Sequence, residues 1–287
     1  MNAIIMAAGT ASRFVPLSEE TPKGLLEVRG EILIERQIRQ LHESGIQDIT
    51  VVLGYKANLF EYLAEKFDVR LVYNEDYNRY NNTSSVIRVL DKLDDTFICC
   101  SDHYFERNVF LDRDSDSYYA VQYANGKTAE WCVETDAEGR ITKVNIGGAN
   151  AWFFAGHAYF NYDFSQQFKA LLKDEYQQEK TRLGYWEDIL INHLDILTIK
   201  AHKYSNDDFR EFDSIDELRT FDTSYIYDTR SSIVKSICAE LNCDESDLSH
   251  FERIKHEGDY LMFAFKKRDV RMIYNGKDKS IKTYTND

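Results

Sequence analysis

The sequence predicts an α/β protein built on a Rossmann-like, three-layer and mostly parallel sheet. Short apolar runs alternate with helical patterns through residues 1–100, and the connections between them are short, which is typical of layered α/β folds. The first apolar run, residues 2–7, is continuous rather than alternating, as expected of a central parallel strand buried on both faces. A third observation is a β-rich stretch at 117–160 that breaks this alternation and predicts an acceptor lobe of antiparallel strands laid over the carboxyl edge of the sheet.

The remaining elements follow from the same periodicities. In the first half the predicted helices are 32–44, 56–67 and 83–92, and the predicted strands that alternate with them are 48–54, 69–73 and 96–100. After the β-rich stretch, the pattern predicts helices at 163–178, 185–195 and 214–221 and a strand at 197–204. Parallel strands joined in this way need right-handed crossovers.

The pattern restarts near residue 223 and predicts a second, smaller α+β module. Its predicted elements are helices at 225–241 and 244–249 and strands at 251–256, 260–267 and 269–284, the last folded on Asn275-Gly276. We therefore predict a main domain at 1–222 and a small module of unknown role at 223–287. Dimerisation or a lid is the modest hypothesis for that module.

Composition excludes several classes of protein. Of the 287 residues 43% are hydrophobic and 29% charged, and no apolar run approaches the ~20 residues of a membrane span. The formal net charge of −14 opposes binding to nucleic acid in the absence of a basic patch. Five cysteines without C-x-x-C spacing, and an N-terminus without a basic region, predict a cytoplasmic protein with reduced thiols.

The strongest functional pattern is the loop that follows the first strand. Small residues that would let a phosphate approach the backbone are followed by two cations, in the order Ala7, Ala8, Gly9, Thr10, Ala11, Arg13 and Lys23. A triphosphate needs accessible N–H groups and positive charge, so the loop predicts nucleotide binding. The pattern is neither a Walker A motif nor a dinucleotide fingerprint, and the alternative is a glycine that merely ends a strand beside solvated cations.

The run M-A-A-G-T-A-S-R-F-V-P-L-S-x-x-T-P-K-G-L resembles the signature of the sugar-phosphate and phosphocholine nucleotidyltransferases, and most closely the bacterial choline-phosphate cytidylyltransferases. The resemblance covers residues 1 to about 222. It implies an enzyme that transfers CMP from CTP to phosphocholine, with Mg²⁺ as cofactor and CDP-choline and pyrophosphate as products. One departure is Ala11, where the family usually has a second glycine; at a positive φ an alanine costs ~1 kcal/mol.

Three carboxylates are candidates for the metal. Asp102 follows the apolar strand 96–100, and ligands in open α/β sheets gather at such strand ends. The resemblance implies a metal role for Asp102 and, in the run that precedes a late helix, for Asp213, with Glu211 as a weaker candidate. The alternative for Asp102 and Asp213 is helix capping.

Aromatic residues beside acids are candidates for binding the acceptor. The resemblance places Trp131, Glu130, Tyr185, Trp186 and Glu187 around the trimethylammonium group of phosphocholine. Such a group cannot donate N–H hydrogen bonds, so recognition depends on aromatic faces and a nearby carboxylate. The alternative is that these tryptophans are core residues. Asn82, in an Asn-rich loop, is a candidate for binding the nucleotide, since amides in that loop could read the base or orient the acceptor; the alternative is an ordinary turn.

Other functions stay open. The same chemistry on 2-aminoethylphosphonate, phosphoethanolamine or a sugar 1-phosphate is the nearest alternative, and a non-catalytic nucleotide-binding module is a second. A homodimer is possible, and no partner nucleic acid or membrane is expected.

Overall fold

The computed structural model describes residues 1–112, 115–255, 258 and 260–284. Its strands are β1 Asn2–Ala7, β2 Glu27–Val28, β3 Glu31–Ile32, β4 Ile49–Leu53, β5 Arg70–Tyr73, β6 Thr96–Cys100, β7 His103–Phe105, β8 Tyr118–Thr135, β9 Ile141–Phe160, β10 Lys200–Lys203, β11 Phe209–Glu211, β12 Leu248–Arg253, β13 Met262–Lys267, β14 Val270–Asn275 and β15 Ser280–Thr283. Its α-helices are α1 Leu33–Glu43, α2 Tyr62–Phe67, α3 Thr83–Arg88, α4 Tyr162–Glu175, α5 Glu179–Leu183, α6 Trp186–Asn192, α7 Ile215–Phe221 and α8 Ser232–Leu241.

The described residues form a seven-stranded sheet in the order β10-β8-β9-β6-β1-β4-β5. β1 pairs in parallel with both β4 and β6, and β4 pairs in parallel with β5. β9 runs antiparallel to β6 and to β8. The predicted α/β class with a mostly parallel sheet is confirmed, and the carboxyl ends of β1, β4 and β6 lie at one edge of it.

Hydrophobic burial explains why the central strands read as continuous apolar runs. Ile4, Ile5, Val51 and Val52 are all 0% exposed, because both faces of these parallel strands are covered. On one face the core continues into α4 and α6, through residues such as Phe168 and Leu190. This packing fixes the sheet edge from which the candidate site is built.

The β-rich stretch 117–160 differs from the prediction. The antiparallel strands predicted for this stretch are two long strands, β8 and β9. Both join the central sheet instead of lying over its edge. The pairing shifts register several times, between Ala124 and Lys127 and between Thr128 and Trp131 among other places. Such bulges bend and twist a long hairpin. The predicted lobe can therefore form from β8 and β9 alone, without further strands.

The C-terminal residues form an antiparallel sheet in the order β12-β13-β14-β15, as the sequence predicts for the small module. The helix predicted at 225–241 starts later, at Ser232, because the Ser231 hydroxyl accepts a hydrogen bond from Val234 N (3.2 Å) and caps it there. The short helix predicted at 244–249 is a single 3₁₀ turn before β12. Residue 256, the end of a predicted strand, lies outside the described residues.

Contacts divide the chain into two compact units that do not coincide with a boundary at 222. One unit is Met1–Gly9 with Ile32–Glu211, and the other is Thr10–Glu31 with Phe212–Asp287. The loop after β1 therefore has its contacts with C-terminal residues. Whether residues 1–222 are an autonomous domain stays a prediction.

No helix in the described ranges combines the length and the apolar character that spanning a bilayer requires.

Candidate active site

The loop after β1 presents an open backbone. β1 ends at Ala7, and the Ala8 carbonyl accepts a hydrogen bond from Tyr55 N (3.1 Å). A Cβ added at Gly9 would meet no protein atom within 4 Å, so the protein's own packing does not require glycine there. A ligand that approaches the backbone closely would require it. Gly54 differs, since a Cβ there would lie 2.8 Å from Ala8 O.

Ala11 adopts the left-handed conformation that favours glycine. Its φ is +47°, and its carbonyl accepts a hydrogen bond from Phe14 N (2.9 Å) to close a turn. The position at which the family usually has a second glycine therefore does have a positive φ in this chain. The turn forms with alanine there, at a cost of about 1 kcal/mol.

The two predicted phosphate-binding cations share one carboxylate. Arg13 Nη1 lies 2.9 Å from Asp213 Oδ2, and Lys23 Nζ lies 3.8 Å from Asp213 Oδ1. The Arg13 side chain is 76% exposed whereas that of Lys23 is 8% exposed, so Lys23 is held in place and Arg13 extends into solvent. Asp213 N also donates a hydrogen bond to Glu217 Oε2 (2.8 Å) at the start of α7.

The other two predicted metal ligands flank one histidine. His103 Nδ1 lies 3.5 Å from Asp102 Oδ1, and His103 Nε2 lies 3.6 Å from Glu211 Oε2. The pairing of β7 with β11 places His103 opposite Glu211. The sequence reasoning passed over His103 because its contact with Glu211 depends on strands more than 100 residues apart in the chain.

Cys100 completes this cluster. Ligand atoms of Cys100, Asp102 and His103 all lie within 4.8 Å of one another. Burial, with the charges of Asp102, Glu187 and Glu211 nearby, raises the pKa of the Cys100 thiol well above its ordinary value. The thiol is thus neutral, and the Glu187 carboxylate lies within electrostatic range of it.

Glu187 is a half-buried carboxylate held by neutral donors. It accepts hydrogen bonds from Tyr119 OH (3.0 Å) and from Asn82 Nδ2 (3.4 Å). Burial raises the pKa of Glu187 to about 7, and these hydrogen bonds offset only part of that effect. A carboxylate desolvated without a cationic partner is what a bound ammonium group would stabilise.

Asn82 contacts two of the residues predicted to bind the acceptor, Glu187 and Trp186. Besides its contact with Glu187, its Oδ1 accepts a hydrogen bond from Trp186 N (2.9 Å). Both polar ends of the side chain therefore hold the start of α6. A contact between Asn82 and a nucleotide stays a prediction.

Trp131 and Tyr185 form an aromatic corner. Their ring centroids are 5.4 Å apart and the rings are nearly perpendicular, at 85°. Tyr185 is 46% exposed, and Trp131, on β8, is half-buried. Two perpendicular rings give a small cation two π faces to contact. Glu130, the neighbour of Trp131 on β8, is exposed.

Trp186 corrects the prediction of a third wall. It is 2% exposed and belongs to the hydrophobic core, where it stacks on Tyr119 (5.7 Å, 13°). The alternative of a core tryptophan holds for Trp186, because the first turn of α6 packs against the sheet. Its indole face is covered by protein.

A mostly parallel α/β sheet whose first strand is followed by small residues and two cations is the arrangement expected of a nucleotidyltransferase. Residues 3–133 match the model of the MobA-like NTP transferase domain. The chain is 35% identical to the 2-aminoethylphosphonate cytidylyltransferase of Lancefieldella rimae, over 80% of this chain and 95% of that protein. It is 33% identical to the choline-phosphate cytidylyltransferase of Haemophilus influenzae, over 76% of this chain and 94% of that one.

A solved structure agrees with these relatives. The CTP:phosphocholine cytidylyltransferase of Streptococcus pneumoniae superposes with a TM-score of 0.74 at 29% identity, over 76% of this chain and 96% of that one. The chain belongs to the family of cytidylyltransferases that includes the choline-phosphate and 2-aminoethylphosphonate enzymes. It is a nucleotidyltransferase, as the loop motif predicted.

Proposed function

We propose that the enzyme transfers CMP from CTP to a small acceptor that carries both a phosphate or phosphonate group and a cationic amine, with phosphocholine as the favoured acceptor. The observation that carries this proposal is the perpendicular corner of Trp131, on β8, and Tyr185, which lies two residues before the half-buried Glu187 at the start of α6. Aromatic faces attract a quaternary ammonium, and the carboxylate balances its charge. The relatives of known activity support CTP as the donor.

A second acceptor, 2-aminoethylphosphonate, is favoured by a specific observation. Because Trp186 is buried in the core, the site has fewer aromatic walls than a full cage, while Glu187 keeps a carboxylate that a primary ammonium can donate to. The relative from L. rimae carries this activity in its name. A sugar 1-phosphate offers no cation for Glu187 and is the less suited acceptor.

The reaction we propose is direct in-line substitution. An acceptor phosphate oxygen attacks the α-phosphorus of CTP, the new P–O bond forms as the bond to the bridging oxygen breaks, and pyrophosphate leaves with that bond's electron pair. The acceptor oxygen is already anionic at neutral pH, so no side chain needs to act as a general base. The protein positions both substrates and neutralises charge.

Arg13 and Lys23 supply positive charge on the protein side. In the structure both lie against Asp213. An incoming triphosphate competes with that carboxylate for the two cations, so binding exchanges one anionic partner for another. Before the substrate binds, the Asp213 carboxylate compensates the positive charges of the two neighbouring basic side chains.

For the cofactor we propose Mg²⁺, within the divalent-metal requirement that the family suggests. The candidate donors fit it in each compact unit taken by itself: the side chains of Asp102 and Glu211 in one unit are 24% and 42% exposed, and that of Asp213 in the other is 37% exposed. Their carboxylate oxygens are accessible, and oxygen is the ligand that Mg²⁺ prefers. When bound, the ion supplies Lewis-acid stabilisation of phosphate charge.

The proposal is tested by measuring pyrophosphate release across four nucleoside triphosphates and a panel of acceptors, namely phosphocholine, 2-aminoethylphosphonate, phosphoethanolamine and glucose 1-phosphate. We expect activity with CTP and with amine-bearing acceptors. CTP binding without pyrophosphate release for any acceptor would identify a nucleotide-binding module instead.

The five cysteines are free thiols, in keeping with a cytoplasmic enzyme, and assembly as a homodimer stays a prediction.

A further inference from the structure

We propose that Glu20 is a positioning residue for the nucleotide loop, defined here as residues 10–31, and that the C-terminal segment 212–287 thereby forms part of the nucleotide-binding machinery. The inference rests on the proposed function, because that function assigns the nucleotide to this loop. It gives the small C-terminal module a role that neither dimerisation nor a lid describes.

Glu20 is held by the start of α8. Its Oε1 accepts hydrogen bonds from Ser232 N (2.8 Å) and from the Ser232 hydroxyl, and its Oε2 accepts one from the Ser231 hydroxyl. Both carboxylate oxygens are thus engaged by two consecutive residues. The partners are more than 200 residues away along the chain, so this is a tertiary tie between the loop and the module.

The physical basis is the unsatisfied N–H groups and positive dipole at a helix N-terminus. α8 has 10 residues and begins at Ser232, so the Glu20 carboxylate occupies the position where an anion stabilises a helix. The tie works in both directions. The helix fixes the loop at Glu20, and the loop completes the cap of the helix.

Further contacts repeat the pattern on both sides of Glu20. The Glu19 carboxylate pairs with Arg253 of β12. Further along the loop, Tyr225 OH donates a hydrogen bond to Glu27 O (2.7 Å), and Arg29 N donates one to Asp222 Oδ2 (2.7 Å). The same C-terminal residues therefore fix the loop at several points.

Glu20 is placed to act on Lys23 through the backbone. Only Thr21 and Pro22 separate the two residues. Thr21 N donates a hydrogen bond to Leu17 O (2.8 Å), and Leu26 N donates one to Lys23 O (3.1 Å), so the backbone from 17 to 26 is a sequence of closed turns. Fixing Glu20 restrains these turns and the direction in which Lys23 leaves them.

The experiment compares Glu20→Gln with Glu240→Gln, which removes the same charge from an exposed position near the end of α8. Each full-length enzyme is assayed for the KM of CTP, the KM of the acceptor and kcat, and backbone hydrogen exchange is followed at residues 17–26. For Glu20→Gln we expect the KM of CTP to rise about tenfold, the size of one lost charge-assisted hydrogen bond, with an unchanged KM of the acceptor and faster exchange in the loop. Ser232→Ala should shift both readouts in the same direction and Ser232→Thr should restore them.

A Glu20→Gln enzyme with an unchanged KM for CTP and unchanged exchange would overturn the inference. An equal rise in both KM values with faster exchange throughout the chain would also overturn it, because that is the effect of general destabilisation. If the wild-type enzyme shows no transfer from CTP, the proposed function fails. The exchange measurement still decides whether Glu20 holds the loop.

Discussion

Asp213 contacts both basic side chains of the nucleotide loop and is also a proposed metal ligand. Its carboxylate lies 2.9 Å from Arg13 Nη1 and 3.8 Å from Lys23 Nζ. These two roles make opposite demands on a substitution, because removing the charge frees the cations and weakens the metal site. A single variant can therefore separate them.

We predict that Asp213→Asn binds free CTP, without divalent metal, about threefold more tightly, a gain of the size of one partly exposed ion pair. In the presence of Mg²⁺ the same variant should lose at least about tenfold in turnover. Calorimetry with a chelator and steady-state assays measure the two effects. The control is Asp207→Asn, an exposed carboxylate, and unaltered metal-free binding by Asp213→Asn would contradict the proposed exchange of partners.

Under the proposed function, Glu187 makes acceptor binding depend on pH. Its carboxyl has a pKa raised from 4.5 to about 7 by burial, so ionising it costs the folded ligand-free protein. The sign follows from linkage: the folded state binds the proton more tightly than the unfolded state, and stability falls as pH rises from about 4.5 to about 7.

We predict that Glu187→Gln stabilises the ligand-free protein above pH 7 by up to about 3 kcal/mol and leaves it nearly unchanged at pH 4.5. Chemical denaturation at both pH values measures this difference. The wild-type KM for an amine acceptor should fall by about tenfold from pH 6 to pH 8 as Glu187 ionises, relative to the variant, whose KM shares only the ionisation of the acceptor phosphate. If the KM values of the two enzymes changed with pH in parallel, Glu187 would not contact the ammonium group of the acceptor.

At the scale of elements, the β8 and β9 hairpin contributes Trp131, one of the two rings of the aromatic corner that we propose for the acceptor. Trp131 of this hairpin packs edge to face with Tyr185, whereas Trp152 of the same hairpin packs with Tyr123 at 5.3 Å. The two tryptophans thus lie in different surroundings on one element. They make a matched pair for mutation.

We predict that Trp131→Leu raises the KM for phosphocholine about tenfold or more, because one π face worth up to ~2 kcal/mol is lost, and leaves kcat almost unchanged. Trp152→Leu should leave the KM for phosphocholine within about twofold. If 2-aminoethylphosphonate is the physiological acceptor, the larger effect should come from Glu187→Gln on the KM for that substrate. Steady-state kinetics with both acceptors distinguish these outcomes.

Local patterns explain what the sequence could predict. The loop from Ala7 to Lys23 and the carboxylate after β6 are short, contiguous signals at strand ends, and they identified the class of enzyme. Side-chain burial is harder to predict from local sequence. Trp131 and Trp186 both have acidic neighbours, yet Trp131 forms the aromatic corner and Trp186 lies in the core. The contacts of Asp213 with Arg13 and of His103 with Glu211 join residues more than 100 positions apart, and periodicity contains no information about such pairs.

At the scale of the whole molecule, the boundary predicted at 222 separates residues that the structure groups together. Residues 10–31 belong to the same compact unit as 212–287. A chain cut after 222 would lose Tyr225, Ser231, Ser232 and Arg253, which all contact the nucleotide loop. It would retain Asp213.

We predict that a protein ending at residue 222 unfolds at a Tm several degrees lower than the full chain, since each lost tie contributes on the order of 1 kcal/mol. Its nucleotide loop should be the first segment that protease cleaves. Thermal unfolding and limited proteolysis of both proteins provide the comparison. A truncated protein with the same Tm and an intact loop would instead support an autonomous domain at 1–222.

The pairing of Arg13 with Asp213 and of Glu20 with Ser231 spans 200 and 211 residues, and this bears on biosynthesis. The nucleotide loop leaves the ribosome about 200 residues before its partners do. Domains form as they emerge, so the sheet can assemble while the nucleotide loop still lacks its anchors. Under the proposed function, full competence for nucleotide is therefore acquired only after the partners at Asp213, Ser231 and Ser232 have been translated.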